Sequence, residues 1–243
     1  MAKSEDKGQA KLISIVLPCY NEEGTVEHCV KEAKEAIREC LGEDRADLGE
    51  VLVVDNASTD RSAEIAAQNG ARVVREDIPG YGSALRRGIA EAEGNVIMMA
   101  DCDTTYVFKD FVRMYHMLSD EGYDMVIGDR FAGDMEKGAM PLSHHIGVRF
   151  LSWSARLRFH SDVRDFHCGI RGLTKNARSR VVYDTDGMEF ATEMIGKAEM
   201  AGLKIGQMPA GLNKSIIDRK PKLRTIPDGL RHLKYIMTRQ DRP

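Results

Sequence analysis

The sequence predicts an α/β domain with a mostly parallel central sheet flanked by helices. Two observations carry that expectation: short apolar runs alternate with segments of helical periodicity, and polar clusters follow the ends of the apolar runs. A third is composition: 243 residues, 42% hydrophobic and 30% charged, fit one soluble domain with a sizeable core.

Taken in order, residues 12–18 (LISIVLP) read as a buried strand, and Glu22–Leu41 follows with helical periodicity. The pattern repeats as strand Val51–Val54, loop Asp55–Asp60, helix Arg61–Asn69 and strand Ala71–Val74. A Gly-rich turn, Pro79–Gly82, then leads into helix Ser83–Glu93. The run Val96–Ala100 is uniformly apolar and stops at Asp101, which puts carboxylates just beyond a strand's carboxyl end, where open α/β sheets hold ligands. Helix Lys109–Glu121 and strand Asp124–Gly128 come next, followed by a loop rich in Gly and Met around Ala132–Met140 and an amphipathic helix Ile146–Phe159. This second half reads as the acceptor side. Helix Glu189–Ala201 and strand Lys204–Met208 close the domain. The plan is a disordered tail over 1–11, a single catalytic domain over 12–212 and a basic amphipathic segment over 213–243.

The net charge of −3 carries no global nucleic-acid signature. Five scattered cysteines without a C-x-x-C pair fit a reducing, cytoplasmic compartment. The charged start MAKSEDKGQAK lacks a signal peptide's apolar stretch, and no segment approaches the ~20 apolar residues of a membrane span.

The triplet Asp101-Cys102-Asp103 puts carboxylates on alternate residues, a spacing that can bring both to one hard cation, although an acidic pair after a strand also serves as a helix cap or solvated turn. In Pro18-Cys19-Tyr20-Asn21-Glu22-Glu23, an aromatic, an amide and carboxylates suit a pocket for a base; alternatively Asn21 caps the next helix. In Asp55-Asn56-Ala57-Ser58-Thr59-Asp60, short polar side chains suit a ribose or a uracil edge, with capping by Ser58, Thr59 or Asp60 as the alternative; capping leaves Asp55 unexplained.

The strings IVLPCYNEE, VLVVDNASTD, GYGSALRRGI, MMADCD and IGDRF, in this order, resemble family 2 glycosyltransferases with the GT-A fold. Within them the similarity is to the polyprenyl-phosphate subgroup, the dolichol-phosphate mannose and glucose synthases. DFHCGIRGLTKNA and GMEFATEMIGKAEMAGLKIGQMP extend it to roughly residues 12–235. The resemblance implies that Pro18, Tyr20, Asn21, Glu22, Asp55, Asn56, Gly82 and Cys102 line the nucleotide-sugar site. It implies that Asp101 and Asp103 hold Mg²⁺ or Mn²⁺ at the diphosphate, and that Arg130 and Arg149 hold an acceptor phosphate. A phosphate acceptor is already ionised and needs no general base. A sugar-hydroxyl acceptor needs one, and Asp165 and the Glu189/Glu193 pair are the candidates, the pair being equally readable as a solvated helical face. For Arg130 the alternative is a surface ion pair with Asp129 or Asp134. Cys102 and Thr104 depart from the family pattern and leave metal preference open, while His167-Cys168 lean toward the glucose-type branch.

Between Lys214 and Arg242 nine Lys or Arg face three Asp, with Leu230, Leu233, Ile236 and Met237 at helical spacing. Such a segment either lies on an anionic membrane surface or docks on the domain with a solvated basic face. Relatives continue into transmembrane helices where this chain ends, so it is a short form or part of a longer one. The expectation is therefore an inverting, metal-dependent transferase, peripheral on the cytoplasmic membrane face. It moves a sugar from a nucleotide diphosphate sugar, UDP-linked first and GDP-mannose second, to a polyprenyl or dolichyl phosphate. The rivals are transfer to a glycan hydroxyl and a non-catalytic nucleotide-sugar-binding domain; a nucleotidyltransferase is disfavoured because LPCYNEEGT supplies no Gly-rich, Lys-containing phosphate loop.

Overall fold

A computed structural model describes residues 10–217 and 225–238. The order of elements is β1 (Ile13–Cys19), α1 (Val26–Leu41), a 3-10 turn (Glu43–Leu48), β2 (Gly49–Asp55), α2 (Ser62–Gln68), β3 (Arg72–Arg75), α3 (Tyr81–Glu91) and β4 (Val96–Met99). Then come α4 (Asp110–Ser119), β5 (Met125–Asp129), α5 (Leu142–Phe159), β6 (Arg171–Thr174), α6 (Lys175–Arg178), α7 (Phe190–Met200), β7 (Ile205–Pro209) and α8 (Thr225–Thr238). The strands form one sheet in the order β3-β2-β1-β4-β6-β5-β7.

The predicted strands are apolar for the reason parallel strands generally are: helices cover both faces, so alternation is lost. Ile13, Ile15, Val16 and Leu17 of β1 and Leu52, Val53 and Val54 of β2 are fully buried, and the two strands pair in parallel along their whole length. Helix α1 packs with α2 and α4, while α3 packs against β1 and α7.

Strand β6 is not anticipated by the sequence reading. It runs antiparallel to both neighbours, Met98 facing Gly172 on one side and Ile127 facing Arg171 on the other. Four residues with Arg171 and Gly172 at their start carry no apolar run, yet Arg171 is entirely buried. Its guanidinium donates to the carbonyls of Cys168, Phe166 and Ala191, so a charged residue is a core residue here.

Two helix starts differ from expectation. Helix α1 begins at Val26, because the Glu22 carbonyl accepts the amides of Thr25 and Val26 and turns residues 22–25 first. Helix α5 begins at Leu142, directly after Pro141, whose fixed φ of −59° readies the chain for a helix.

The tail expectations meet the structure in part. Residues 1–9 lie outside the described residues, as do Arg219, Lys220, Lys222, Arg224, Arg239 and Arg242 of the basic segment. Helix α8 packs on α5 and α7, burying His232, Tyr235 and Ile236 while leaving Leu230 and Met237 exposed. The apolar residues at helical spacing lie along one stripe of α8, of which Ile236 is buried in the domain while Leu230 and Met237, toward its border, stay exposed.

Candidate functional site at the carboxyl edge of the sheet

Strands β1, β2, β4 and β5 all end at one edge, and the antiparallel β6 begins there. The polar clusters after these strands therefore converge, and hydrogen bonds tie them loop to loop. The Asn21 amide donates to Ser58 Oγ (3.0 Å) and the Thr59 amide donates to Asn21 Oδ1 (2.8 Å). Asn21 sits at φ 51° and braces the β2 loop; it does not cap α1, whose N-cap is Thr25. Thr25 Oγ1 in turn donates to the Cys102 carbonyl (2.8 Å), joining the first loop to the metal-type triplet.

The predicted nucleotide-pocket residues take different parts. Tyr20 is half exposed beyond β1, and Pro18 is the half-buried penultimate residue of β1. Glu22 is buried, its carboxylate accepting from Thr25 Oγ1 (3.1 Å). Asp55 closes the β2 loop by accepting the Ser58 amide (3.1 Å), with Arg75 at 3.8 Å. Asp60 accepts the Ser62 amide (3.0 Å) in the turn before α2, whose N-cap is Arg61.

Asn56, Gly82 and Cys102 each have a part in the fold. Asn56 donates to the carbonyls of Glu76 (3.1 Å) and Ile78 (2.8 Å) and accepts the Gly80 amide (2.8 Å), so it clamps the β3–α3 loop and keeps no group for a base. Gly82 lets α3 meet the 185 turn: a Cβ there would lie 2.4 Å from the Thr185 carbonyl oxygen. Cys102 points away from the cleft into a buried cluster with Cys19 and Cys29, where neighbouring thiols and burial push its pKa up. Cysteines scattered in sequence are thus neighbours in space, and all five are free thiols.

Asp101 and Asp103 flank that residue just beyond the carboxyl end of β4. Asp103 Oδ1 accepts the amide of Thr105 (3.0 Å) and its hydroxyl (2.5 Å), which orients the carboxylate. Asp101 Oδ1 is buried with no hydrogen-bond partner among the described residues. Burial and the adjacent Asp103 charge raise the Asp101 pKa from 3.8 to about 6, against the pull of a Tyr81 hydrogen bond and of Arg171 and Arg130. Gly169 leaves room beside it; a Cβ there would lie 2.6 Å from Asp101 Oδ2.

An orphaned carboxylate oxygen beside a second carboxylate fits a divalent cation. Among the described residues no group of three or more His, Cys, Asp or Glu assembles for a metal. Mg²⁺ is commonly held by one or two carboxylates plus substrate phosphates and water, which is the coordination this pair leaves open.

Arg130 follows β5 and is buried, but its partner is neither Asp129 nor Asp134. It forms a bidentate pair with Asp165, Nε to Oδ2 at 2.7 Å and Nη2 to Oδ1 at 2.8 Å, while Asp129 takes Arg164 at 3.2 Å. Asp165 also accepts the amides of Arg130 and His167. Both its oxygens accept hydrogen bonds and it is fully buried, so it orients Arg130. Arg130 Nη1 has no hydrogen-bond partner among the described residues, and the outer edge of the guanidinium remains available to an anion. Arg149, on α5, lies 4.9 Å over the Phe131 ring, next along the chain from Arg130.

Glu193, another of the candidate bases, lies on α7. It is fully buried, accepts the amides of Asp184 (2.8 Å) and Thr185 (2.9 Å), and pairs with Lys197 at 3.2 Å. It fastens the turn before α7, and is no solvated face. Glu189, one helical turn earlier, has a buried Oε2 without a hydrogen-bond partner among the described residues.

Sequence reasoning missed further members of the site. Tyr81 bonds to Asp101, signalled only by its place in GYG at a helix start. Tyr106 Oη accepts the Gly169 amide (2.6 Å) and fixes the start of the β6 segment beside Asp101. A buried polar chain runs from Ser152 through His167 and Thr192 to His232, with the Thr192–His232 contact at 2.8 Å, and links α5, α7 and α8 to the residue two places after Asp165. Burial lowers the pKa of His167 well below 6.5 and that of His232 to about 4.

Comparison with known proteins bears on the fold and the family. Solved structures of glucosyl-3-phosphoglycerate synthase from Mycobacterium tuberculosis share the fold. One, in complex with Mn²⁺, UDP-glucose and phosphoglyceric acid, superposes with a TM-score of 0.66 at 22% identity, covering 93% of this chain and 79% of that one. Among curated proteins of Haloferax volcanii, the low-salt glycan biosynthesis hexosyltransferase Agl6 is 35% identical over 96% of this chain and 55% of its own. A dolichyl-phosphate hexose transferase is 27% identical over 81% of each. The chain thus spans about half the length of Agl6 and 61% of the glycosyltransferase AglJ. Residues 14–180, which carry every strand and loop of the cleft from β1 to β6, match the family described as Glycosyl transferase family 2, and the chain belongs to that family, with its GT-A fold.

Proposed function

We propose that the protein is a metal-dependent, inverting glycosyltransferase that moves a sugar from a UDP-sugar to a polyprenyl or dolichyl phosphate. The observation that carries the acceptor is negative for bases and positive for anions. Asp165 and Glu193, the carboxylates proposed to deprotonate a hydroxyl, are fully engaged, whereas Arg130 is held by Asp165 with its outer edge available. An arginine pre-oriented by a buried carboxylate suits a phosphate acceptor, whose oxygen attacks without first losing a proton. The dolichyl-phosphate hexose transferase among the relatives and the UDP-glucose-bound neighbour support the same pairing of substrates.

Tyr20 and the loop braced by Asn21 and Asp55 receive the nucleoside. Asp101 and Asp103 hold the divalent cation, which when bound neutralises charge on the departing diphosphate. Arg130 presents the acceptor phosphate, Arg149 lies beside it through Phe131, and Asp165 fixes the guanidinium. In the transfer the phosphate oxygen bonds to the anomeric carbon as its bond to the diphosphate breaks; UDP leaves with the electron pair and configuration inverts.

The test is to incubate the protein with Mn²⁺ or Mg²⁺ and a short-chain polyprenyl phosphate in detergent, supplying UDP-glucose or GDP-mannose, and to detect lipid-linked sugar by mass spectrometry. No lipid-linked product from either donor refutes the lipid acceptor. Asp165→Asn is expected to raise the acceptor KM tenfold to a hundredfold with UDP binding retained, the worth of one charged hydrogen bond. A second reading, transfer to a glycan hydroxyl, rests on the orphaned Glu189 Oε2, a carboxylate free to take a proton. It predicts that Glu189→Gln abolishes turnover while Asp165→Asn is mild.

A further inference from the structure

Helix α5 has a face that the fold leaves uncovered. Leu142, Ile146, Phe150, Trp153 and Leu157 are each more than half exposed. At 3.6 residues per turn these five fall within an arc of about 80°. The rings of Phe150 and Trp153 sit side by side, centroids 6.2 Å apart. The helix's buried residues, Ser152, Ala155 and Phe159, occupy a separate arc. A globular helix normally turns its one apolar stripe to the core, and an exposed contiguous patch marks an interaction surface.

Charge identifies the partner. The helix LSHHIGVRFLSWSARLRF contains three Arg and two His and no acidic residue, in a chain whose net charge is −3. Arg149 and Arg156 run along one border of the apolar stripe at that spacing. We propose that this face of α5 docks on an anionic phospholipid bilayer. The apolar stripe enters the boundary between headgroups and acyl chains, Trp153 sits at the level where tryptophan concentrates, and the arginines reach the lipid phosphates. The bilayer attracts this helix and repels the acidic remainder of the chain, which fixes one orientation.

The inference rests on the lipid-phosphate reading only for its purpose. Arg149, on the border of the stripe, caps the Phe131 ring beside Arg130, so docking by α5 brings the headgroup plane to the acceptor arginine. It also assigns to α5 the membrane contact that the sequence reading gave to the C-terminal segment.

Trp153 is the single tryptophan of the chain, so its emission reports docking directly. The protein is titrated with vesicles of phosphatidylcholine alone or mixed with phosphatidylglycerol. The expected result is a blue shift with the anionic vesicles only, quenching by acyl-brominated lipid, and weakening by salt. Phe150→Ser combined with Leu157→Ser lowers partitioning about a hundredfold, roughly tenfold per side chain, and leaves transfer to the detergent-solubilised short-chain acceptor unchanged. Absence of any shift overturns the proposal. So does a shift that follows protein concentration without lipid, which identifies a second copy as the occupant. Vesicle binding without lipid-linked product refutes the acceptor reading and leaves the docking face standing; product without vesicle binding does the reverse.

Discussion

Replacing Asp101 by Asn separates what the cleft needs for binding a cation from what folding prefers. In the folded chain the Asp101 pKa is raised from 3.8 to about 6 by burial and by Asp103. A carboxylate whose folded pKa is raised binds more protons folded than unfolded, so its stabilising effect is present at low pH and is lost as pH rises through about 6. Integrated over that shift, ionisation of Asp101 costs the metal-free protein about 3 kcal/mol at pH 7.5 and roughly half of that at pH 5. Asn cannot ionise. The stability of the variant relative to wild type is therefore expected to grow by about 1.4 kcal/mol between pH 5 and pH 7.5, near tenfold in the unfolding equilibrium. Any fixed cost of the amide cancels in that difference, and so do the histidines common to both proteins. The assay is urea unfolding with EDTA at the two pH values, then with Mn²⁺ at pH 7.5, where only wild type is expected to gain. A stability gap that does not change with pH, or equal stabilisation of both proteins by Mn²⁺, refutes the reasoning.

Asn56→Ala removes three hydrogen bonds to the backbone of residues 76–80 and is expected to destabilise by about 3 kcal/mol; a loss under about 1 kcal/mol in urea unfolding shows that the loop is held by other contacts. His232 has a folded pKa of about 4 against an ordinary 6.5, so the unfolded chain takes up the proton first and stability is lost as pH falls from 6.5 toward 4. Relative to His232→Gln, wild type should lose about 2 kcal/mol between pH 7.5 and pH 5; parallel profiles of the two proteins dismiss the buried Ser152–His167–Thr192–His232 chain as the source.

The sequence disclosed most where one physical signal sufficed. Strands β1, β2, β4 and β5 were legible because parallel strands under helices are largely apolar, the edge strands β3 and β7 from shorter apolar cores bounded by turns, and Asp101 because it ends an apolar run. Strand β6 was invisible because its buried member is Arg171, satisfied by carbonyls contributed from elsewhere in the fold. The pair Arg130–Asp165 joins residues 35 positions apart, and nothing local told that Asp165 would meet a guanidinium. Glu193 and Lys197 carry an i, i+4 spacing that reads the same on a solvated helix as on α7, which is buried on nearly every side. Asn56 has the composition of a binding loop, and only the path of residues 76–80 shows that its amide serves the backbone.

The reversed direction of β6 has a consequence for scale. Because β6 starts where β4 and β5 stop, it stands between Asp101 and Arg130 as a rung of fixed width, and the two residues are set about two strand spacings apart, roughly 10 Å. That span belongs to the backbone ladder and not to any loop. Loops at this edge can therefore change length and composition while the gauge between Asp101 and Arg130 stays the same; under the proposed roles, that gauge separates the leaving diphosphate from the attacking phosphate.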